Sequence, residues 1–272
     1  KVQTYAVIVS DGKGGTLTQD ITVSITGTND APTITTVAGT TDVLGAVTED
    51  AAVVGTTLTD SGTLTFNDLD LTDAHTVSVS KASGTLGGTL TFGNVTESAT
   101  TSTGSVPWTY TVANSNTQYL AKDQTASEVF TVTVNDGQGG TTTQNVTVTA
   151  TGTNDIPTLT AFIAAVDTTN EDTAVEVTLS DLLAQGDEAD VDGSGSVTSF
   201  VVKAVSSGSL KIGTTEASAQ AWNASTNATV DATYKAYWTP VPNANGTLNA
   251  FTAVAKDNNG AESSTAIMAT VT

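Results

Sequence analysis

The 272-residue chain has no cysteine and no arginine, and it carries one histidine, one methionine and few aromatic side chains. Each absence removes a class of chemistry. Without cysteine there are no disulfides, no zinc thiolates and no thiol nucleophile. A single histidine excludes sites built on several imidazoles. Eight lysines against 28 acidic residues give a net charge of −20, with no basic stripe to meet a phosphate backbone, so nucleic acid is not an expected partner. No stretch approaches the length of apolar sequence that spans a bilayer, and membrane insertion is not expected. Lys1 to Ser10 alternates like a strand and lacks the basic region, apolar stretch and cleavage site of a signal peptide. The chain is therefore expected to be a segment of something longer.

What is abundant is threonine, at 57 positions, together with valine and glycine. That composition disfavours long helices and favours strands joined by turns. The strands also repeat. Val7 to Thr33 reads VIVSDGKGGTLTQDITVSITGTNDAPT, and Val132 to Thr158 reads VTVNDGQGGTTTQNVTVTATGTNDIPT: 18 identities in 27 positions at an offset of 125. A looser third copy begins at Ala253-Val254-Ala255-Lys256-Asp257-Asn258-Asn259-Gly260. A second element recurs at an offset of 122, pairing Glu49-Asp50 with Glu171-Asp172 and Asp68-Leu69-Asp70 with Asp190-Val191-Asp192. Boundaries placed at the TGTNDxP segments give residues 1–30 as the last two strands of a preceding repeat, 31–155 as a full repeat and 156–272 as a divergent one.

Within each repeat the period is two: Phe130, Val132 and Val134 alternate with threonines, as do Val146 and Val148. Gly-rich turns such as Asp136-Gly137-Gln138-Gly139-Gly140 join such runs. The expected class is all-β, a linear array of tandem Ig/cadherin-like β-sandwiches, with one short helix over Leu179 to Ala184. Trp108, Tyr110, Tyr119 and Phe130, and Trp222, Tyr237, Trp238 and Phe251, lie on or beside strand-like runs. Core packing is the expected role of these rings; a sugar-stacking platform is the alternative.

Half of the acidic residues, 14 of 28, sit in the recurring motifs and beside them at Asp73. Carboxylates, asparagine amides and loop carbonyls make an oxygen-only donor set, which suits a hard cation and favours calcium where many protein oxygens converge. An Asp-x-Asp at a strand end is expected to place both side chains on one face. Two carboxylates at ~4 Å repel by roughly 4 kcal/mol at an effective dielectric of 20. Several converging at a junction would push its two sides apart unless a divalent ion bridged them.

These stretches resemble a known family. The TGTNDAPT linker, TEDAAVVGTTLTDSGTLTFNDLDLTD and WTYTVANSNTQYLAKDQTASEVFTVTVNDGQGG are similar to the VCBS repeat of bacterial RTX-type adhesins, nearly end to end over residues 31–155. Residues 156–272, with EDTAVEVTLSDLL, DVDGSGSV, WTPVPNANGTLNAF and KDNNG, resemble more loosely a bacterial cadherin-like repeat. The resemblance implies extracellular, calcium-binding sandwiches that hold a ligand-binding tip away from the cell. It also implies a ligand set shared across each junction. The first would use Asn29, Asp30, Asp68, Asp70 and Asp136. The second would use Asn154, Asp155, Asp190, Asp192 and Asp257, with Glu49 from the domain before. Glu171 and Asp11 would serve junctions beyond the two ends. Asp50 and Asp172 read either as ligands or as turn caps, and Asp257-Asn258-Asn259-Gly260 departs from the Asp-Gly-x-Gly-Gly turn.

The functional expectation is a non-catalytic, calcium-rigidified extender of a cell-surface adhesin, supporting adhesion and biofilm, with neighbouring repeats as its partners. Two alternatives stand beside it. Two strands alone are marginal in water, so residues 1–30 either belong to a sandwich completed by preceding chain or complete a neighbouring copy by strand donation. The second case would make the chain a subunit of a filament or surface layer. A glycan-binding module in 156–272 is the other alternative. Asp60-Ser61-Gly62 lacks the partner loop of an aspartic protease, and the Gly-rich turns lack the helix and lysine of a phosphate loop. His75 beside the acidic run reads as a strand-start residue, with a metal role as the lesser reading.

Overall fold

A computed structural model describes residues 1–35, 41–192 and 197–272. Strands β1 (Val2–Ser10) and β2 (Thr16–Ser24) form a two-stranded antiparallel ribbon. The sequence then runs through β3 (Leu44–Thr48), β4 (Thr57–Asn67), β5 (Thr76–Ser83), β6 (Thr89–Phe92), β7 (Thr96–Ser98), β8 (Thr101–Ala113), β9 (Thr125–Asn135) and β10 (Thr141–Thr151). These make two sheets, ordered β3-β10-β9-β5 and β4-β8-β6, with β7 paired to β8. The pairing is antiparallel except between β3 and β10. Alternation does what the pattern dictates: Phe130, Val132, Val134, Val146 and Val148 point inward to meet Leu58, Leu64, Phe66, Val106 and Trp108 of the facing sheet. The threonines between them face out.

The remaining strands are β11 (Val175–Val177), β12 (Val197–Val205), β13 (Ser209–Gly213), β14 (Gln220–Ala221), β15 (Thr229–Val230), β16 (Lys235–Thr239), β17 (Leu248–Asp257) and β18 (Ile267–Val271). Their sheets, β11-β16-β13-β14 and β15-β12-β17-β18, enclose a second core around Phe200, Trp238 and Phe251. Helix α1 (Leu179–Gln185) sits where the sequence places it. Its start is fixed by a reciprocal cap, with Thr178 Oγ1 accepting from the Asp181 amide at 3.2 Å and Asp181 Oδ2 accepting from the Thr178 amide at 2.8 Å. No helix among the described residues is long and apolar enough to cross a membrane.

The rings are core, not platform. Trp108, Tyr110, Trp238 and Phe251 are fully enclosed and Tyr237 nearly so, while Trp222 packs partly buried and donates its Nε1–H to the Val202 carbonyl at 3.2 Å. The glycan-binding reading of Trp222, Tyr237 and Trp238 loses its surface, because a stacking sugar needs an open ring face. Tyr119 alone of the eight rings singled out is exposed. Gly62 shows how tightly Trp108 is seated, since a β-carbon there would lie 2.5 Å from the indole.

The Glu128 carboxylate lies between the core of the first sandwich and its Gly84–Gly88 turn. Glu128 has no exposed surface and accepts from the amides of Gly87 and Gly88 and from the Tyr110 hydroxyl, all at 3.0 Å, and pairs with Lys81. Four donors satisfy both oxygens and tie the Gly84–Gly88 turn to β9. Burial, reinforced by the Glu128 charge, drives the Tyr110 hydroxyl far above its ordinary pKa, so it stays a donor.

The ribbon contrasts with its counterpart. Tyr5 pairs with Ile21 and Val7 with Gln19, the register in which Phe130 pairs with Val146 and Val132 with Gln144. Yet every residue of β1 and β2 is exposed, including Tyr5, Val7, Val9, Ile21 and Val23. Two outcomes follow. In this chain, amides of Val2–Ser24 should exchange with deuterium at least about a hundredfold faster than their counterparts in β9 and β10, because opening exposes no core. Glu128→Ala should lower the urea-unfolding free energy of the sandwich holding Trp108 by about 3 kcal/mol, because it strands buried donors.

Candidate cation sites at two junctions

The construction begins at a strand end. Asp136 follows β9, and its Oδ1 accepts from the amides of Gln138 at 2.7 Å and Gly140 at 2.9 Å, which curls the glycine-rich turn around the carboxylate. Gly137 and Gly139 adopt φ of +75° and +109°, the region glycine enters without strain. Asp11 organises the same turn through Lys13 and Gly15, and Asp257 does so through Asn259, Gly260 and Ala261. The Asp-Asn-Asn-Gly departure therefore keeps its function: Gly260, at φ +98°, supplies the needed conformation.

The linkers then reach these carboxylates. Asn29 Nδ2 donates to Asp136 Oδ2 at 2.9 Å, and the Asp30 amide donates to Asp70 Oδ2 at 2.7 Å. The second junction repeats both bonds: Asn154 Nδ2 to Asp257 Oδ2 at 2.7 Å, and the Asp155 amide to Asp192 Oδ2 at 3.0 Å. The structure thus brings together Asn29, Asp30, Asp68, Asp70 and Asp136, and likewise Asn154, Asp155, Asp190, Asp192 and Asp257. One expectation needs correction. Asp68 and Asp70 lie beyond the end of β4, so strand periodicity does not align them. The Asp70 amide donating to Asp68 Oδ1 at 2.8 Å does, and the Asp192 amide to Asp190 Oδ1 at 3.0 Å repeats it.

Glu49 enters the second junction from the preceding sandwich. It is fully buried, accepting from the Thr153 amide and Gln118 Nε2, both at 2.9 Å. Burial raises its pKa to about 7, against the Thr153 bond and with help from the charges of Asp155, Asp50 and Asp192. Asp155 rises to about 6 through burial and the charges of Asp192, Asp50 and Asp190. Asp192 rises too, mainly through burial. Asp136 is held low, chiefly by Asn29. Asp50 and Asp172 both occupy turn positions at positive φ, with Asp50 bound reciprocally to Asn114 and Asp172 accepting from the Asn243 amide. Glu171 and Asp11 are exposed.

Donors run short where these groups meet. Asn154 Oδ1, Asp155 Oδ2, Asp190 Oδ2 and Asp192 Oδ1 are buried with no hydrogen-bond partner among the described residues. The lysine ion pairs among the described residues, Lys81–Glu128, Lys203–Glu262 and Lys235–Glu176, involve none of the junction carboxylates. At the first junction, Asp68, Asp73 and Asp136 present oxygens within 4.8 Å of one another, and Asp73 Oδ2 is also buried and unpartnered. Asp73 was absent from the expected ligand set; its signal was a third acid closing the Asp68–Asp73 run. His75 directly precedes β5, as expected of a strand-start residue. It bridges Asp68 Oδ2 at 3.0 Å and Glu97 Oε2 at 2.7 Å, and those bonds outweigh its burial and raise its pKa. An oxygen-rich set with orphaned carboxylates fits calcium, which takes six to eight oxygens.

Protonation can relieve the crowding when no cation is present. Glu49, Asp155 and His75 hold protons in the folded chain to higher pH than in the unfolded one, so the metal-free fold loses stability as pH rises from about 4 through 7, with His75 adding to the loss from about 6.5 upward. Asp136 and Asp187, both held low, are ionised in either state over most of that window. In EDTA, the melting temperature should fall between pH 5 and pH 8, whereas saturating calcium should flatten or reverse the trend. Scanning calorimetry at four pH values checks both.

No family model matches the sequence, and none of the curated proteins does. Among solved structures, the protocadherin gammaB7 EC3-6 cis-dimer aligns over 100% of this chain and 58% of its own, at 12% identity and a TM-score of 0.51. Protocadherin Gamma B2 extracellular cadherin domains 1-5 align over 100% and 46%, at 14% identity and a TM-score of 0.53. The chain thus spans about half the length of the solved chains it matches. At this level of identity the likeness carries the fold: an all-β tandem array of Ig/cadherin-like sandwiches.

Proposed function

We propose that the chain is a calcium-stiffened extender segment of a secreted bacterial surface adhesin of the VCBS type. Its role is mechanical and non-catalytic: it projects a distal binding region from the cell and supports adhesion and biofilm formation. Residues 31–155 and 156–272 form its repeating units, and 1–30 close the unit before. The observation that carries this reading is the set of four buried, unpartnered oxygens on Asn154, Asp155, Asp190 and Asp192, where Glu49 of one sandwich meets the linker to the next.

Calcium would be held by Asn29, Asp30, Asp68, Asp70, Asp73 and Asp136 at the first junction, and by Glu49, Asn154, Asp155, Asp190, Asp192 and Asp257 at the second. Bound there, it supplies positive charge that lets these carboxylates converge. The chain's own groups do the positioning. Strand-end turns hold Asp136 and Asp257, and linker asparagines pull each linker onto them. Glu49, pinned to the Thr153 amide, draws the outgoing linker against the sandwich it leaves. Sites on extracellular modules of this type bind at about 10⁻⁴ to 10⁻³ M, filled outside the cell and empty within, so stiffening follows export.

The second reading is a filament subunit assembled by strand donation, favoured by the exposed apolar side chains of β1 and β2. A donor pair needs a vacant groove. In the two described sandwiches the matching places are filled by β9 with β10 and by β17 with β18. A second copy of this chain therefore offers no free acceptor of that kind, and the extender reading is preferred. Size exclusion over a hundredfold range of concentration should return a monomer.

Calcium at one hundred times its dissociation constant should stabilise the fold by about 2.7 kcal/mol per site and lengthen the particle seen by small-angle scattering. Asp192→Asn with Asp257→Asn should remove the second junction's share of the calorimetric uptake. Superimposable scattering profiles in EDTA and in calcium would sink the proposal.

A further inference from the structure

We infer that His75, backed by Glu97, is a positioning residue that sets the orientation of Asp68 for cation binding at the first junction. The inference rests on the calcium reading and goes beyond it, because His75 and Glu97 belong to neither ligand set. Three observations carry it.

First, both oxygens of Asp68 are fixed. Oδ1 accepts from the Asp70 amide at 2.8 Å, and Oδ2 faces His75 Nε2 at 3.0 Å. With both directions taken by donors, the carboxylate cannot rotate, and its remaining lone pairs are left for a cation shared with Asp73 and Asp136, whose oxygens lie within 4.8 Å. Second, the imidazole is itself locked. Nδ1 meets Glu97 Oε2 at 2.7 Å, Glu97 Oε1 accepts from the His75 amide at 3.3 Å, and the ring packs on Phe66 with centroids 4.6 Å apart. The side chain is only 4% exposed. The two ring nitrogens face one carboxylate each, so the ring is held between Asp68 and Glu97 and its orientation is set from both sides. Third, among the described residues the second junction lacks the clamp. The offset of 122 that maps Asp68 onto Asp190 maps His75 onto Val197. There the counterpart oxygen, Asp190 Oδ2, is buried with no partner.

An outer partner of this kind supports its metal ligand by holding it in geometry, and its loss costs about ten- to a hundredfold in affinity. The test is calorimetric calcium titration of the full chain at fixed pH, in an Asp192→Asn, Asp257→Asn background that leaves the first junction alone. His75→Ala should weaken binding by about ten- to a hundredfold, while His75→Gln, whose amide can still donate to Asp68, should return it to within about threefold of the parent. Glu97→Gln should cost about three- to tenfold, and it keeps the test open should His75→Ala fail to fold. Melting in EDTA checks folding for each variant. Equal affinity in the parent and His75→Ala, or in the parent and Glu97→Gln, would overturn the inference, as would a His75→Gln variant as weak as the alanine. A parent that takes up no calcium would instead overturn the calcium reading beneath it.

Discussion

Where the chain passes from one pair of sheets to the next, carboxylate oxygens outnumber the donors that can reach them, and the rest of the structure is arranged around that shortage. Backbone amides supply what they can. They bind Oδ1 of Asp68, Asp136, Asp190 and Asp257 and so fix how each carboxylate sits at its junction. Linker asparagines supply a second donor to Asp136 and Asp257. What remains unpaired is charge with nowhere to go but to a proton or a cation. Burial, with neighbouring carboxylates adding to it, raises the pKa of Glu49 and Asp155. A chain with a net charge of −20 tolerates this because the crowding is confined to places where a small ion can resolve it.

The sandwiches serve as rigid mounts for these groups. Neither core is rich in large side chains, and each gains density by other means. Threonine on the outward face and valine on the inward face keep the sheets thin and regular, and glycines let indole and phenyl rings approach the backbone closely, as Gly62 does for Trp108 and Gly104 for Phe66. Glu128 adds a polar rivet through Lys81, Tyr110 and two turn amides. Its cost in desolvation is offset only because all its partners are present together. Strand ends held in this way fix the aspartates that follow them.

Much of this was legible in the sequence because it is local or repeated. Alternation marks the strands and their inward faces, the run from Leu179 to Ala184 marks the short helix, and the offset of 125 puts two hairpins in the same register. The acidic motifs could be grouped because they recur. What escaped was contact between residues that do not recur together. Glu97 meets His75 across 22 residues and Glu128 meets Lys81 across 47, and neither partner belongs to a repeated motif. Asp73 stood in plain view in the acidic run, yet nothing in a one-dimensional pattern shows which acid of a run turns inward. The Asp-x-Asp spacing points to alignment by strand periodicity, whereas a turn amide aligns each pair.

Because Glu49 stands at one end of its sandwich and Asp68, Asp70 and Asp136 at the other, the unit between them has a head and a tail that complement each other. Any two such units joined in line by a TGTND linker would assemble a whole constellation from two halves. Growth of the array then needs no new surface and no matched mutation: copying the unit's coding segment copies both halves.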